Sequence, residues 1–89
     1  MAMVYVTIKI MPTEVAKLEE IKNTAFAVVK NFGGNIAETK EEDIAFGLKA
    51  IIIRFSIREN VGMEALETEI ENINGVSSLE VIDVRRAIG

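Results

Sequence analysis

Aliphatic side chains occupy every even position at the start of the chain: Val4, Val6, Ile8 and Ile10 lie on one side, Tyr5, Thr7 and Lys9 on the other. A period of two over 3–11 predicts a half-buried strand. Pro12 and Thr13 then stop the strand and open a helix, with Thr13 as N-cap and Glu14 in the positive first turn. Leu18, Ile21, Ala25, Val28, Val29 and Phe32 recur at helical spacing, so this helix covers a sheet, and Gly33-Gly34 ends it.

The polar segment 35–41 reads either as a loop or as a short edge strand around Ile36, where acids discourage unwanted pairing. The next strand is predicted over 48–57. Ile51, Ile53, Phe55 and Ile57 point to the core, and Ile52, Arg54 and Ser56 to the opposite face. Glu59-Asn60-Val61-Gly62 is a turn, followed by a helix over 63–73 with Leu66, Ile70 and Ile73 as its buried stripe. Asn74-Gly75 breaks it. A last strand runs over 76–85, with Leu79 and Val81 on one face and Glu80, Ile82 and Val84 on the other.

The order is therefore βαββαβ. Two amphipathic helices need one shared apolar sheet face, which predicts a ferredoxin-like α+β sandwich: a four-stranded antiparallel sheet with both helices on one side. Its open face carries Tyr5, Thr7, Lys9, Ile52, Arg54, Ile82 and Val84. These are either scattered surface apolars or a docking surface.

Composition narrows the function. Eighty-nine residues make one domain. Fourteen acids against ten bases give a net charge of −4, which disfavours nucleic-acid phosphates and anionic membrane surfaces as partners. With no His and no Cys, the chain lacks the usual zinc ligands, the usual nucleophile and the usual base near neutral pH. No enzyme activity, metal or cofactor is expected. Disulfides are excluded, 50–53 is too short to span a bilayer, and 1–10 alternates where a signal peptide is continuously apolar; the expected location is cytoplasmic. The acid-rich run 38–43 reads as a solvated loop or edge, since the alternation and glycine of a calcium loop are missing.

A fold of this class hosts many functions, so residues must choose among them. An RNA-binding module would stack bases on aromatics of its central strands, and Ala50-Ile51-Ile52-Ile53-Arg54 offers none. An acylphosphatase-type enzyme would need an arginine cradle after the first strand, where Met11-Pro12-Thr13-Glu14 stands. A small-molecule regulatory domain would bind a metabolite at a subunit interface, with Gly33-Gly34 or Asn74-Gly75 at the contact. The most distinctive stretch is 44–50, where Phe46 and Gly47 precede the most β-prone run. Phe46 either caps the core at a strand entrance or stands on a rim as an interface anchor.

Four stretches carry a resemblance that spans nearly the whole chain. They are Val4-Tyr5-Val6-Thr7-Ile8-Lys9-Ile10-Met11-Pro12; the heptapeptide 44–50; Val61-Gly62-Met63-Glu64-Ala65-Leu66-Glu67; and the ending Gly75-Val76-Ser77-Ser78-Leu79-Glu80-Val81-Ile82-Asp83-Val84-Arg85-Arg86. In this order and spacing the chain resembles the archaeal elongation factor 1-beta family, guanine nucleotide exchange factors for translation elongation factor 1-alpha. The resemblance implies a domain that grips the GDP-bound GTPase and speeds GDP release, and a monomer when free.

It also implies a set of partner-binding residues: Phe46, Gly47, Lys49, Arg85 and Arg86. In eukaryotic relatives an aromatic at the counterpart of Phe46-Gly47 anchors the partner, and a lysine near the C-terminus intrudes at the Mg²⁺ and phosphate region. The lysine's nearest counterpart here is Arg86, a planar fork in place of a compact point charge. Lys49 would supply a supporting charge. Met63 stands where relatives often carry a hydroxyl N-cap, so the second helix is expected to begin on Asn60 or Gly62.

Overall fold

In the computed structural model, which describes residues 2–86, six elements follow the predicted order. Strand β1 spans Met3–Pro12, helix α1 Leu18–Asn31, β2 Asn35–Asp43, β3 Lys49–Arg58, α2 Met63–Glu71 and β4 Val76–Arg86. The sheet is antiparallel with order β2-β3-β1-β4, so the two most apolar strands are central. This is the ferredoxin-like α+β arrangement.

One face of the sheet holds the core. Val6, Ile8 and Ile10 of β1 and Ile51, Ile53, Phe55 and Ile57 of β3 are buried against Leu18, Ile21, Ala25, Val28 and Val29 of α1 and Leu66 and Ile70 of α2. Period-two burial on the strands meets period-3.6 burial on the helices, as the sequence pattern predicts. Among the described residues no polar or charged side chain is buried.

The helix boundaries differ from expectation. Thr13 does not cap α1: its backbone N–H donates to Gly75 O at 2.7 Å, a single 3₁₀ turn at Val15–Lys17 intervenes, and α1 starts at Leu18. That hydrogen bond ties the end of β1 to the entry of β4. At the other end, Gly34 N–H donates to Val29 O and Gly33 N–H to Lys30 O, both at 2.9 Å, with Gly33 at φ 85°; the pattern is a Schellman motif. Helix α2 is capped by Gly62, one of the two expected positions. It ends at Glu71, which leaves Ile73 half-buried beyond it.

The strands differ in two places. The ambiguous segment is a full edge strand reaching Asp43, paired with β3 from Asn35↔Ser56 to Asp43↔Lys49. In β4 the pairing passes from Ile8↔Val81 to Thr7↔Asp83, so Ile82 is the extra residue of a bulge. Beyond the bulge the faces exchange. Asp83 and Arg85 lie opposite Thr7 and Tyr5 on the open face, whereas Val84 lies opposite Val6 in the helix-side register. Val84 therefore leaves the expected open-face set. Uninterrupted alternation would have put Asp83 and Arg85 in the helix-side register instead, but there Val84 is 60% exposed and Arg86 meets Glu59, so burial does not dictate the bulge. Ile52 keeps its open-face register but is only 5% exposed. It sits between Lys9 and Lys40, whose type of side chain lays methylene stems over apolar neighbours.

Candidate functional site

The β2–β3 connection is a tight hairpin. Ile44 N–H donates to Leu48 O at 2.7 Å and Leu48 N–H to Ala45 O at 3.4 Å, which closes the neck. Ile44 and Leu48 are half-buried, and the tip between them carries Phe46, which is 100% exposed. Of the two readings of Phe46, core cap or rim aromatic, the structure has the rim. Phe46 and Gly47 both have positive φ, 64° and 76°. Lys49, at the start of β3, lies 3.8 Å from Glu41 Oε1 across the hairpin. Nearby, Lys9 Nζ donates to Glu42 Oε1 at 3.2 Å.

The basic pair at the end of β4 stands elsewhere. Arg86 lies opposite Val4, while the hairpin emerges beyond the pairing of Ile51 with Ile10, at the Pro12 end of β1. Val4 and Pro12 are separated by about 26 Å at the usual strand rise. Phe46, Gly47 and Lys49 thus gather at one end of a molecule whose extents are 42 × 21 × 17 Å, and Arg85 and Arg86 gather at the other.

Arg85 and Arg86 face opposite sides of the sheet. Arg85 is on the open face and donates through Nε to Asp83 Oδ2 at 2.9 Å. Arg86 is on the helix-side register and pairs with Glu59, from the turn after β3, whose backbone N–H donates to Ala2 O at 3.0 Å. Glu59, Glu41 and Asp83 are site neighbours that sequence reasoning missed. Asp83, two positions from Arg85, was the nearest to legible; Glu59, 27 positions from Arg86, left no local signal.

Between the two ends the open face forms a concavity of about 320 Å³, lined among others by Thr7, Lys40, Ile52, Arg54, Asp83 and Arg85. Arg54 stacks over the Tyr5 ring, 5.2 Å from its centroid. The face is a mosaic of alternating charges over a small apolar floor, less apolar than the alternation suggested. Among the described residues no group of three or more acids could hold a metal ion, and no helix is long and apolar enough to cross a membrane.

Comparison with known proteins bears on what this geometry serves. The family model described as the EF-1 guanine nucleotide exchange domain matches residues 5–87. The chain is 37% identical over 81 residues to elongation factor 1-beta of Methanosarcina barkeri, covering 89% of this chain and 91% of that protein. It is 34% identical to that of Thermofilum pendens, over 100% of both chains. For Methanothermobacter thermautotrophicus the identity is 38%, over 93% of this chain and 94% of that one.

Solved structures agree on the fold alone. The C-terminal domain of the MgtC protein from Mycobacterium tuberculosis superposes with a TM-score of 0.72 at 8% identity, over 96% of this chain and 87% of that one. The ACT domain from GTP pyrophosphokinase of Chlorobium tepidum gives 0.67 at 15%, over 91% and 88%. With a family match that begins on β1 and runs past the end of β4, and relatives matched over nearly their whole length, the chain belongs to the elongation factor 1-beta family of guanine nucleotide exchange factors.

Proposed function

We propose that this domain binds GDP-loaded elongation factor 1-alpha at two separated places, with Phe46 as an apolar anchor at the hairpin tip and Arg86 as the group nearest the nucleotide. The observation that carries the reading is a fully exposed phenylalanine at one end of the sheet and a basic pair at the other. A phenyl ring left wholly in water contributes nothing to folding and much to binding once a partner covers it. Lys49 adds charge beside the anchor, and Gly47 shapes the tip.

At the far end the partner's GDP is held largely by phosphate-loop contacts and by Mg²⁺ bridging phosphate and protein oxygens. A guanidinium brought there competes with the metal for phosphate oxygens and repels it, and its planar fork suits bidentate contact. Arg86 would leave Glu59 for this stronger anionic partner, while Arg85 stays on the open face with Asp83.

Binding energy does the task, and no covalent bond is made or broken. By linkage the domain and the nucleotide weaken each other's affinity equally, and a thousandfold faster release corresponds to roughly 4 kcal/mol at the barrier. The domain would act in the cytoplasm, as a monomer before it docks. Release of a fluorescent GDP analogue from elongation factor 1-alpha, followed with and without this protein, is the test. Acceleration that saturates with added protein is expected; no acceleration at saturating protein refutes the function.

A further inference from the structure

Phe46 is the single non-glycine residue among those described with positive φ, and it is also completely exposed. Each property alone is unfavourable for an aromatic residue. Left-handed backbone presses Cβ toward the following carbonyl oxygen, and the exposed ring gains nothing from burial. Their coincidence at one residue is what needs explaining.

The hydrogen bonds of the hairpin define the turn. Two consecutive residues at positive φ make a primed turn, the type whose twist matches that of the flanking strands, and Asn-Gly is its favoured sequence. Phe46-Gly47 fills the turn with the wrong first residue. With Ile44 N–H on Leu48 O continuing the Asp43↔Lys49 register, the loop is Ala45-Phe46-Gly47, and the usual filling of a three-residue loop is an unprimed turn with glycine alone left-handed; Phe46 stands outside that pattern. A Cβ placed on Gly47 would meet nothing within 4 Å, so a glycine is needed there for its φ of 76° and not for space.

We infer that the turn is a strained display device: the closed neck of the hairpin and the left-handed Gly47 hold the Phe46 backbone in one outward-facing geometry before any partner arrives. Gly47 is a positioning residue that acts through Phe46. The partner feature that fits is a preformed apolar pocket on the GTPase, deep enough to take a phenyl ring whose whole surface is free. With its backbone set in advance, the residue has only two side-chain torsions left to order on docking, which keeps the entropic cost of binding low. The docking half of the inference rests on the proposed function; the strain half concerns the free domain.

The test compares Gly47→Asn with Gly47→Val. Both put a side chain into the same open space, but Asn tolerates left-handed backbone and a β-branched residue does not. The GDP-release assay, run as a titration, should give Gly47→Val a half-saturating concentration about tenfold higher than that of Gly47→Asn, the two variants being compared with each other. Equal behaviour of the two variants would overturn the positioning role. In parallel, Phe46→Asn should raise the thermal midpoint of the free domain by about 4 °C while weakening docking; a fall in the midpoint would overturn the strain. If the unaltered protein accelerates nothing, the proposed function fails, and the thermal comparison still decides whether the turn is strained.

Discussion

Gly34 occupies a place that no other residue type fits. A Cβ there would lie 2.7 Å from Val29 Cγ1 and 3.1 Å from two carbonyl oxygens, those of Val29 and Ser56. The carbonyls belong to α1 and β3, so relief requires the helix to move off the sheet. Gly34→Ala should therefore cost about 2 kcal/mol by overpacking and lower the thermal midpoint by about 10 °C in a domain of this size; an unchanged midpoint in a melting curve would show that the helix end yields freely. A helix stop at Gly33-Gly34 was legible, because a double glycine after an apolar stripe has few other meanings. That the second glycine is needed for close packing on Ser56 was not, since the contact joins residues far apart in the chain. Phe46 illustrates the same boundary: an aromatic beside a glycine marks a place of interest, but aromatic preference argues against left-handed backbone, and only the folded hairpin reveals it.

The strands were legible where side chains decide them and obscure where the backbone does. In β1 and β3 alternation is driven by burial, and both were readable to within a residue at either end. Along β2 only Ile36 is even half-buried, so pairing to β3 holds the strand and no period-two signal marks it. The bulge in β4 was hidden for another reason. Consecutive apolar residues, Val81 and Ile82, fit either face, and the residues after them are largely exposed whichever way they point, so no burial signal marks the bulge. The weight these strands carry is testable on β3, which is central and contributes the largest of the fully buried side chains, Phe55. Phe55→Ala should destabilise the domain by about 3–5 kcal/mol, a large share of the 5–15 kcal/mol typical of a folded domain. Urea unfolding would give this as a lower midpoint; a loss below about 1 kcal/mol would mean that the two helices close over the cavity.

The register of β1 turns two sequence-distant motifs into the two ends of one rigid body. Arg86 sits opposite Val4, and the hairpin leaves the sheet at the Pro12 end. Neither the order of the elements nor their composition discloses this; it follows from which strands pair and in what direction. Rigidity matters because a flexible link would let one end bind without committing the other, whereas a stiff spacer makes the second contact effectively intramolecular. Ends this far apart share no packing partners, so substitutions at them should act independently on affinity. Phe46→Ala should weaken binding to elongation factor 1-alpha by about 2–4 kcal/mol, as loss of an aromatic anchor does. Arg86→Ala should weaken it by about 1 kcal/mol and chiefly slow GDP release at saturating protein. In the double variant the two affinity losses should add to within about 0.5 kcal/mol. A coupling above about 1 kcal/mol in that cycle would mean that the ends communicate through the partner or the sheet, and equal release rates for Arg86→Ala and the unaltered chain would remove Arg86 from the nucleotide site while leaving the anchor at Phe46 in place.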